Sequence, residues 1–179
     1  MPHLALTAIG RDRPGIVAAL SGVLLEHELN VEDSQATILR GHFSIVLVVA
    51  APEGVDRGRL RDDLAGVGRE LGLEAVAVQD VDELPAASPE PSHMVTIYGT
   101  DHPGIVHAAT STLAASRVDI TDLNTRLIEE EGEQPFYALM MEVSLPSGAS
   151  AERMEEALRA VGEREGVEVT VREIEPDVL

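Results

Sequence analysis

One short stretch of the sequence occurs twice and decides the fold. Residues 10–17 read GRDRPGIV, and residues 99–106 read GTDHPGIV. Each copy begins with a glycine, carries an aspartate two positions before a proline–glycine pair, and leads into an apolar segment. A stretch repeated at this distance indicates that one structural unit occurs twice in the chain.

The segments that follow each copy also correspond. LNVED at 29–33 aligns with VDITD at 118–122, and FSIVLVV at 43–49 aligns with FYALMMEV at 136–143. Alternating apolar residues predict strands, and apolar residues at helical spacing predict a helix directly after each copy. Pro14 suits the first turn of its helix, where a backbone N–H is not needed. The predicted order in both units is β-α-β-β-α-β.

This order predicts an α+β fold class, with two ferredoxin-like βαββαβ domains. Each domain is expected to have a four-stranded antiparallel sheet with its helices on one face. We expect domains at residues 1–82 and 93–179, joined by a Pro-rich linker at 83–92. The uncovered sheet face and the strand edges predict a homo-oligomer. Whether the two units pair with each other or with those of a second chain stays open.

Composition excludes several classes of partner. The chain of 179 residues has 32 acidic and 13 basic residues, a net charge of −19. Such a charge argues against direct binding to nucleic acid and to anionic membrane surfaces. There is no cysteine, and the histidines and acidic residues lack the spacing of a metal site, so no cofactor or metal is predicted. The short apolar N-terminal segment is not typical of a signal peptide, which predicts a cytoplasmic protein.

The residues of the first unit carry a resemblance to a known family. TAIGRDRPGIV at 7–17, followed by NVEDSQATILRGHFSIVLVV at 30–49, resembles ACT domains, and especially the tandem-ACT glycine cleavage system transcriptional repressor group. The same stretches are also similar to the N-terminal ACT segments of formyltetrahydrofolate deformylase and phosphoserine phosphatase. The resemblance implies ferredoxin-like regulatory modules that commonly bind amino acids, and a protein that is not an enzyme.

The repeated loop has a plausible binding chemistry. A helix N-terminus exposes unpaired N–H groups and attracts a carboxylate, and a glycine lets a ligand approach the main chain. By resemblance, the ligand carboxylate would meet the backbone of the loop and the ammonium group would meet side-chain oxygens. The residues implied are Asp12, Pro14, Gly15, Ile16 and Asn30 in the first unit, and Asp101, Gly104, Ile105 and Asp119 in the second.

The alternative for the loop is structural, because Asp12 could simply satisfy N–H groups of the turn. The two copies also differ, since Arg11 and Arg13 correspond to Thr100 and His102. We expect Asn30 and Asp119, which start the second strand of each unit, to lie near the mouth of the loop, across the sheet end or a domain interface.

Two functions from different classes follow. The first is a regulatory protein that binds a small amino acid, such as glycine or serine, and signals through a protein partner, either a transcription factor or an enzyme, in the transcriptional regulation of amino-acid metabolism. The second is a regulator that acts by protein–protein interaction without a ligand. An enzyme of ferredoxin-like fold is the weakest hypothesis, because no nucleophile–base pair is identifiable. The acidic segment EEEGEQ at 129–134 is interpreted as a solvated hairpin tip.

Overall fold

A computed structural model describes residues 2–81, 89–128 and 135–174. The chain divides into two compact units, Met1–Ala86 and Ala87–Leu179. Most of the predicted linker and all of the EEEGEQ segment lie outside the described residues. Ser92, the last residue of the predicted linker, is hydrogen-bonded to the second unit, because its N–H donates to the oxygen of Val143 at 2.8 Å.

The first unit contains the six predicted elements in the predicted order. They are β1 (His3–Arg11), α1 (Ile16–Glu26), β2 (Asn30–Leu39), β3 (His42–Ala50), α2 (Arg57–Leu71) and β4 (Leu73–Val81). The sheet order is β2-β3-β1-β4, and neighbouring strands are antiparallel. β2 and β3 are joined by Arg40 and Gly41, whose φ angles of 49° and 83° are those of a two-residue hairpin turn.

The core of the first unit lies between one face of the sheet and the two helices. Alternate residues of β1 and β3 are buried, as the period of two in a strand requires. They pack against the apolar sides of α1 and α2. The members of this core include Leu4, Leu6, Ala8, Ile45, Leu47, Ile16, Leu20, Leu24, Leu60 and Leu64.

The second unit has the same architecture. Its elements are β5 (His93–Thr100), α3 (Ile105–Ala115), β6 (Asp119–Ile128), β7 (Phe136–Ser144), α4 (Ala151–Glu165) and β8 (Glu168–Glu173). The sheet order is β6-β7-β5-β8, and its core is formed by residues such as Val95, Ile97, Leu113, Met141 and Leu158. The predicted fold class, two ferredoxin-like βαββαβ domains, is confirmed. The boundaries 1–82, 83–92 and 93–179 stay a prediction.

The helix-free side of the first sheet remains accessible. All ten residues of the edge strand β2 are exposed. Ile9 and Val46, which alternate with the core residues of β1 and β3, are 41% and 45% exposed. The homo-oligomer stays a prediction.

The first glycine of each repeated stretch is required by packing. A Cβ at Gly10 would lie 2.8 Å from the Cα of Leu73, and a Cβ at Gly99 would lie 2.6 Å from Cγ1 of Val167. Both distances are too short for non-bonded carbon atoms. The end of the first strand in each unit therefore lies directly against the start of the last strand, which places the following loop beside the C-terminus of the second helix.

Candidate functional site

The repeated loop connects the end of the first strand to the first helix. β1 continues to Arg11, and the N–H of Asp12 donates to the oxygen of Gly41 at 2.9 Å. α1 begins at Ile16, after Gly15, which has a φ of 97°. The second copy has the same form, with Gly104 at a φ of 115° before Ile105.

The expectation that Pro14 lies in the first turn of the helix is wrong. Gly15 has a positive φ, and a residue in that conformation cannot belong to a right-handed helix. The helix therefore begins one residue after Gly15, and Pro14 belongs to the turn before it. Ile16 and Ile105, the first helical residues, are buried, so they can offer a ligand only their backbone N–H groups.

The N-termini of α1 and α3 are open. Both helices lie within the described residues, and neither has a side-chain hydrogen bond at its N-cap. By contrast, Asp56 accepts from the N–H of Arg59 at the start of α2, and Ser150 accepts from the N–H of Arg153 at the start of α4. Asp12 and Asp101 therefore do not cap the helices that follow them, and the first-turn N–H groups of α1 and α3 keep their hydrogen-bonding capacity.

The loop glycines leave the backbone approachable. No atom lies within 4 Å of a Cβ built on Gly15, and the nearest atom to one built on Gly104 is Oε2 of Glu165 at 3.9 Å. The positive φ, rather than lack of space, therefore explains glycine at these two positions. A ligand carboxylate has a free path to the N–H groups that follow.

A surface cleft of about 540 Å³ begins at the second loop and runs between α3 and α4. Its wall includes Gly104, His107, Ser111, Arg164 and Glu165. Its size is within the range of small-molecule sites. Most of the cleft surface is apolar, and its charged residues Arg164 and Glu165 are paired with each other at 3.0 Å.

The structure does not bring Asn30 to the loop of its own unit. Asn30 pairs with Ala50, which also pairs with His3 at the start of β1. Asp12 follows Arg11 at the other end of β1. β1 and β2 both run antiparallel to β3, so they are parallel to each other. Nine residues of strand therefore separate the two positions by roughly 30 Å. The expectation of proximity across the sheet end is therefore wrong within one unit.

Asp119 has the same relation to Asp101 in the second unit. It pairs with Ser144, next to Val143, which pairs with His93 at the start of β5. Asp101 follows the other end of β5, where its N–H donates to the oxygen of Pro135 at 3.4 Å. Within one unit, the residue that starts the second strand therefore lies far from the repeated loop.

No contact was predicted from the sequence for two residues of the loops, Arg13 and His102. Nη1 of Arg13 donates to the oxygen of Leu71 at 3.3 Å, and Nε2 of His102 lies 2.9 Å from the oxygen of Glu165. Leu71 and Glu165 are the last residues of α2 and α4. The equivalent position in both copies therefore ties the loop to the C-terminus of the second helix. The sequence indicated this contact only in that both copies carry a hydrogen-bond donor directly before the proline.

The pKa values of two side chains near the second loop are raised. The pKa of His102 is raised above 6.5, mainly by its hydrogen bond with the backbone oxygen of Glu165 and then by that of Pro103. The pKa of Tyr137 is raised above 10.0, mainly by burial, while a hydrogen bond with Thr125 lowers it and the charge of Asp101 raises it. Asp101 is therefore close to both groups.

The described residues contain neither a metal-binding cluster nor a membrane-spanning helix. No group of three or more His, Asp or Glu side chains there could hold a metal ion. Within the same residues, no helix combines the length and apolar character needed to cross a membrane.

Comparison with known proteins identifies the repeated unit. The family model of the ACT domain matches residues 3–78 and, a second time, residues 93–172. A UPF0237 protein of Methanopyrus kandleri is 46% identical over 77 residues, which are 42% of this chain and 86% of that protein. A phosphoserine phosphatase of Mycobacterium tuberculosis is 28% identical over 169 residues, which are 94% of this chain but 40% of that enzyme.

Two solved structures share the fold over nearly the whole chain. A protein of unknown function from Galdieria sulphuraria has a TM-score of 0.79 at 24% identity, covering 97% of this chain and 99% of its own. A candidate glycine cleavage system transcriptional repressor has a TM-score of 0.71 at 19% identity, covering 97% of this chain and 98% of its own. Both similarities concern the fold.

Proposed function

Since this chain belongs to the ACT domain family, we propose that it is a non-enzymatic regulatory protein that binds a small amino acid at its repeated loops and signals through a protein partner. One observation carries the proposal. The helices that follow the two loops begin without a side-chain cap, whereas the second helix of each unit has one.

The ligand is proposed to bind through its two charged groups. Its carboxylate would accept hydrogen bonds from the first-turn N–H groups next to Gly15 or Gly104, where the helix dipole favours negative charge. Its ammonium group would lie near Asp12 or Asp101. Pro14, Ile16 and Ile105 contribute backbone only, while Asn30 and Asp119 would reach only a ligand bound at the loop of a unit other than their own.

Glycine and serine are the first ligands to test. A glycine carries no side chain that a shallow, open loop would have to accommodate, and a serine adds one small polar group. The names of two similar proteins, a candidate glycine cleavage system repressor and a phosphoserine phosphatase, mention glycine and phosphoserine.

The partner is proposed to be a protein with basic surface regions. The net charge of −19 disfavours direct contact with DNA and favours an association that weakens as salt is added. Regulation of transcription, if the chain has that role, would then act through a bound transcription factor rather than at the DNA itself.

Thermal unfolding in the presence of each of the twenty amino acids tests the proposal. A ligand with a Kd of about 100 μM, present at about 10 mM, should stabilise the protein by roughly 2.7 kcal/mol. Asp12→Ala together with Asp101→Ala should remove most of that stabilisation. Asp56→Ala is the matched control, because it removes an aspartate that caps α2 and should leave the ligand-dependent shift unchanged.

No shift with any amino acid would contradict the proposal and would favour a regulator that acts by protein–protein contact alone. A shift that survives in the double variant would preserve amino-acid binding but contradict its location at the loops.

A further inference from the structure

The two loops are tied to the second helix of their unit by different side chains. Arg13 donates to the oxygen of Leu71 at the end of α2, and His102 contacts the oxygen of Glu165 at the end of α4. The last carbonyl groups of a helix have no partner within the helix, so each contact satisfies one of them. The guanidinium group of Arg13 keeps its charge at all relevant pH values, whereas an imidazole does not.

The imidazole of His102 has a carbonyl oxygen at each ring nitrogen. Nε2 is 2.9 Å from the oxygen of Glu165, and Nδ1 is 3.2 Å from the oxygen of Pro103. Carbonyl oxygens only accept hydrogen bonds, and a neutral imidazole has a single N–H. Only the protonated ring can donate to both, so this geometry is complete in the imidazolium form alone.

The charged groups around His102 favour the same form. Glu165 on α4 and Asp101 in the loop both raise the pKa of His102, after the larger effects of the two backbone oxygens, while partial burial lowers it. The Glu165 carboxylate is also paired with Arg164 at 3.0 Å, which moderates its effect. In the first loop the position of His102 is occupied by Arg13, whose guanidinium group does not lose its proton.

We propose that His102 is a positioning residue that holds the second loop against α4 in a pH-dependent way, while Arg13 holds the first loop against α2 independently of pH. The sign follows from the protonated state. The second contact is complete below the ordinary pKa of 6.5 and weakens as pH rises through the higher pKa of the folded protein. This inference goes beyond the proposed function and holds with or without an amino-acid ligand.

The consequence is that the two loops respond differently near neutral pH. Deprotonation leaves the His102 ring a single N–H, so it can no longer donate to both Glu165 and Pro103, and the segment before Gly104 is held less tightly against α4. The first loop keeps its contact over the same range. A chain with two copies of one loop thus has one pH-sensitive copy and one pH-insensitive copy.

An NMR titration of the full chain without added ligand, over about two pH units either side of neutrality, tests the pH-dependent contact of His102. The Cε1–H signal of His102 should titrate with a pKa above 6.5, and the amide signals of Gly104 and Ile105 should shift with the same midpoint. A pKa of His102 at or below 6.5 would overturn the proposal.

Exchange of the two side chains provides the matched variants. In His102→Arg the shift of the Gly104 and Ile105 amides with pH should be lost, and in Arg13→His the amides of Gly15 and Ile16 should acquire one. His107→Gln and His42→Gln serve as controls, because these histidines lie in α3 and at the start of β3, close in sequence to the loops or to their hydrogen-bonded partners. Amides that titrate in His102→Arg as they do in the unmodified chain would refute a positioning role for His102.

Discussion

The first and second helices of each unit begin and end in opposite ways. α2 and α4 start with a capping side chain, Asp56 or Ser150, and end with a glycine in the left-handed conformation. α1 and α3 start at a glycine without a side-chain cap. The residues that adopt the left-handed conformation after them are Glu28 and Arg117. The second helices therefore have capped termini, and the first helices have N-termini without a side-chain cap.

The largest expected effect concerns the strand end that supports the open helix. Gly10→Ala or Gly99→Ala should lower the free energy of unfolding by about 2–3 kcal/mol, because the added methyl group would overlap the start of the last strand of the unit. Gly22→Ala, within α1 and with no atom near its Cβ, is the control and should raise stability by about 0.5–1 kcal/mol. Denaturant unfolding measures both. Equal effects at Gly10 and Gly22 would show that the strand end is not tightly packed.

The difference between capped and open helices is tested by removal of four side chains. Asp56→Ala and Ser150→Ala should each cost about 1 kcal/mol, because each leaves one N–H without its acceptor. Asp12→Ala and Asp101→Ala should change the free energy of unfolding by less than about 0.5 kcal/mol, as expected for exposed residues without a capping role. A cost of about 1 kcal/mol at Asp12 would instead assign it the structural role that the sequence left open.

The smallest effect concerns the helix C-termini. Glu28→Gly and Arg117→Gly should each raise the free energy of unfolding by about 0.5 kcal/mol, because relief of the left-handed conformation slightly exceeds the entropy that glycine adds to the unfolded chain. Gly72→Ala is the reverse change at the C-cap of α2 and should lower stability by about 1 kcal/mol. Thermal unfolding of the three variants would show whether glycine is the more stable residue at the C-terminus of both the first and the second helices.

The sequence predicted the elements and the fold because they depend on local periodicity and on the repeat. Ile16, Leu20 and Leu24 lie at helical spacing and are buried together. The start of α1 was predicted at Pro14, two residues before the observed start at Ile16, because proline favours a first helical turn and only the backbone shows that Gly15 has a positive φ.

The site was predicted less completely, because it depends on contacts between distant residues. Arg13 contacts a residue 58 positions away, and His102 contacts one 63 positions away. No local pattern specifies such pairs. The expected proximity of Asn30 to Asp12 is wrong because β1 and β2 are parallel, which places the end of β1 and the start of β2 at opposite ends of the sheet.

Amide chemical shifts during titration with glycine, and separately with serine, would test the open helix N-termini most directly. With ligand added to about 10 mM, a hundredfold excess over a Kd of about 100 μM, the amides of Gly15, Ile16 and Val17 or those of Gly104, Ile105 and Val106 should shift and saturate. The N-terminal amides of α2 and α4, which are capped, should not. Unchanged signals at both loops, or shifts confined to other parts of the chain, would contradict amino-acid binding at these sites.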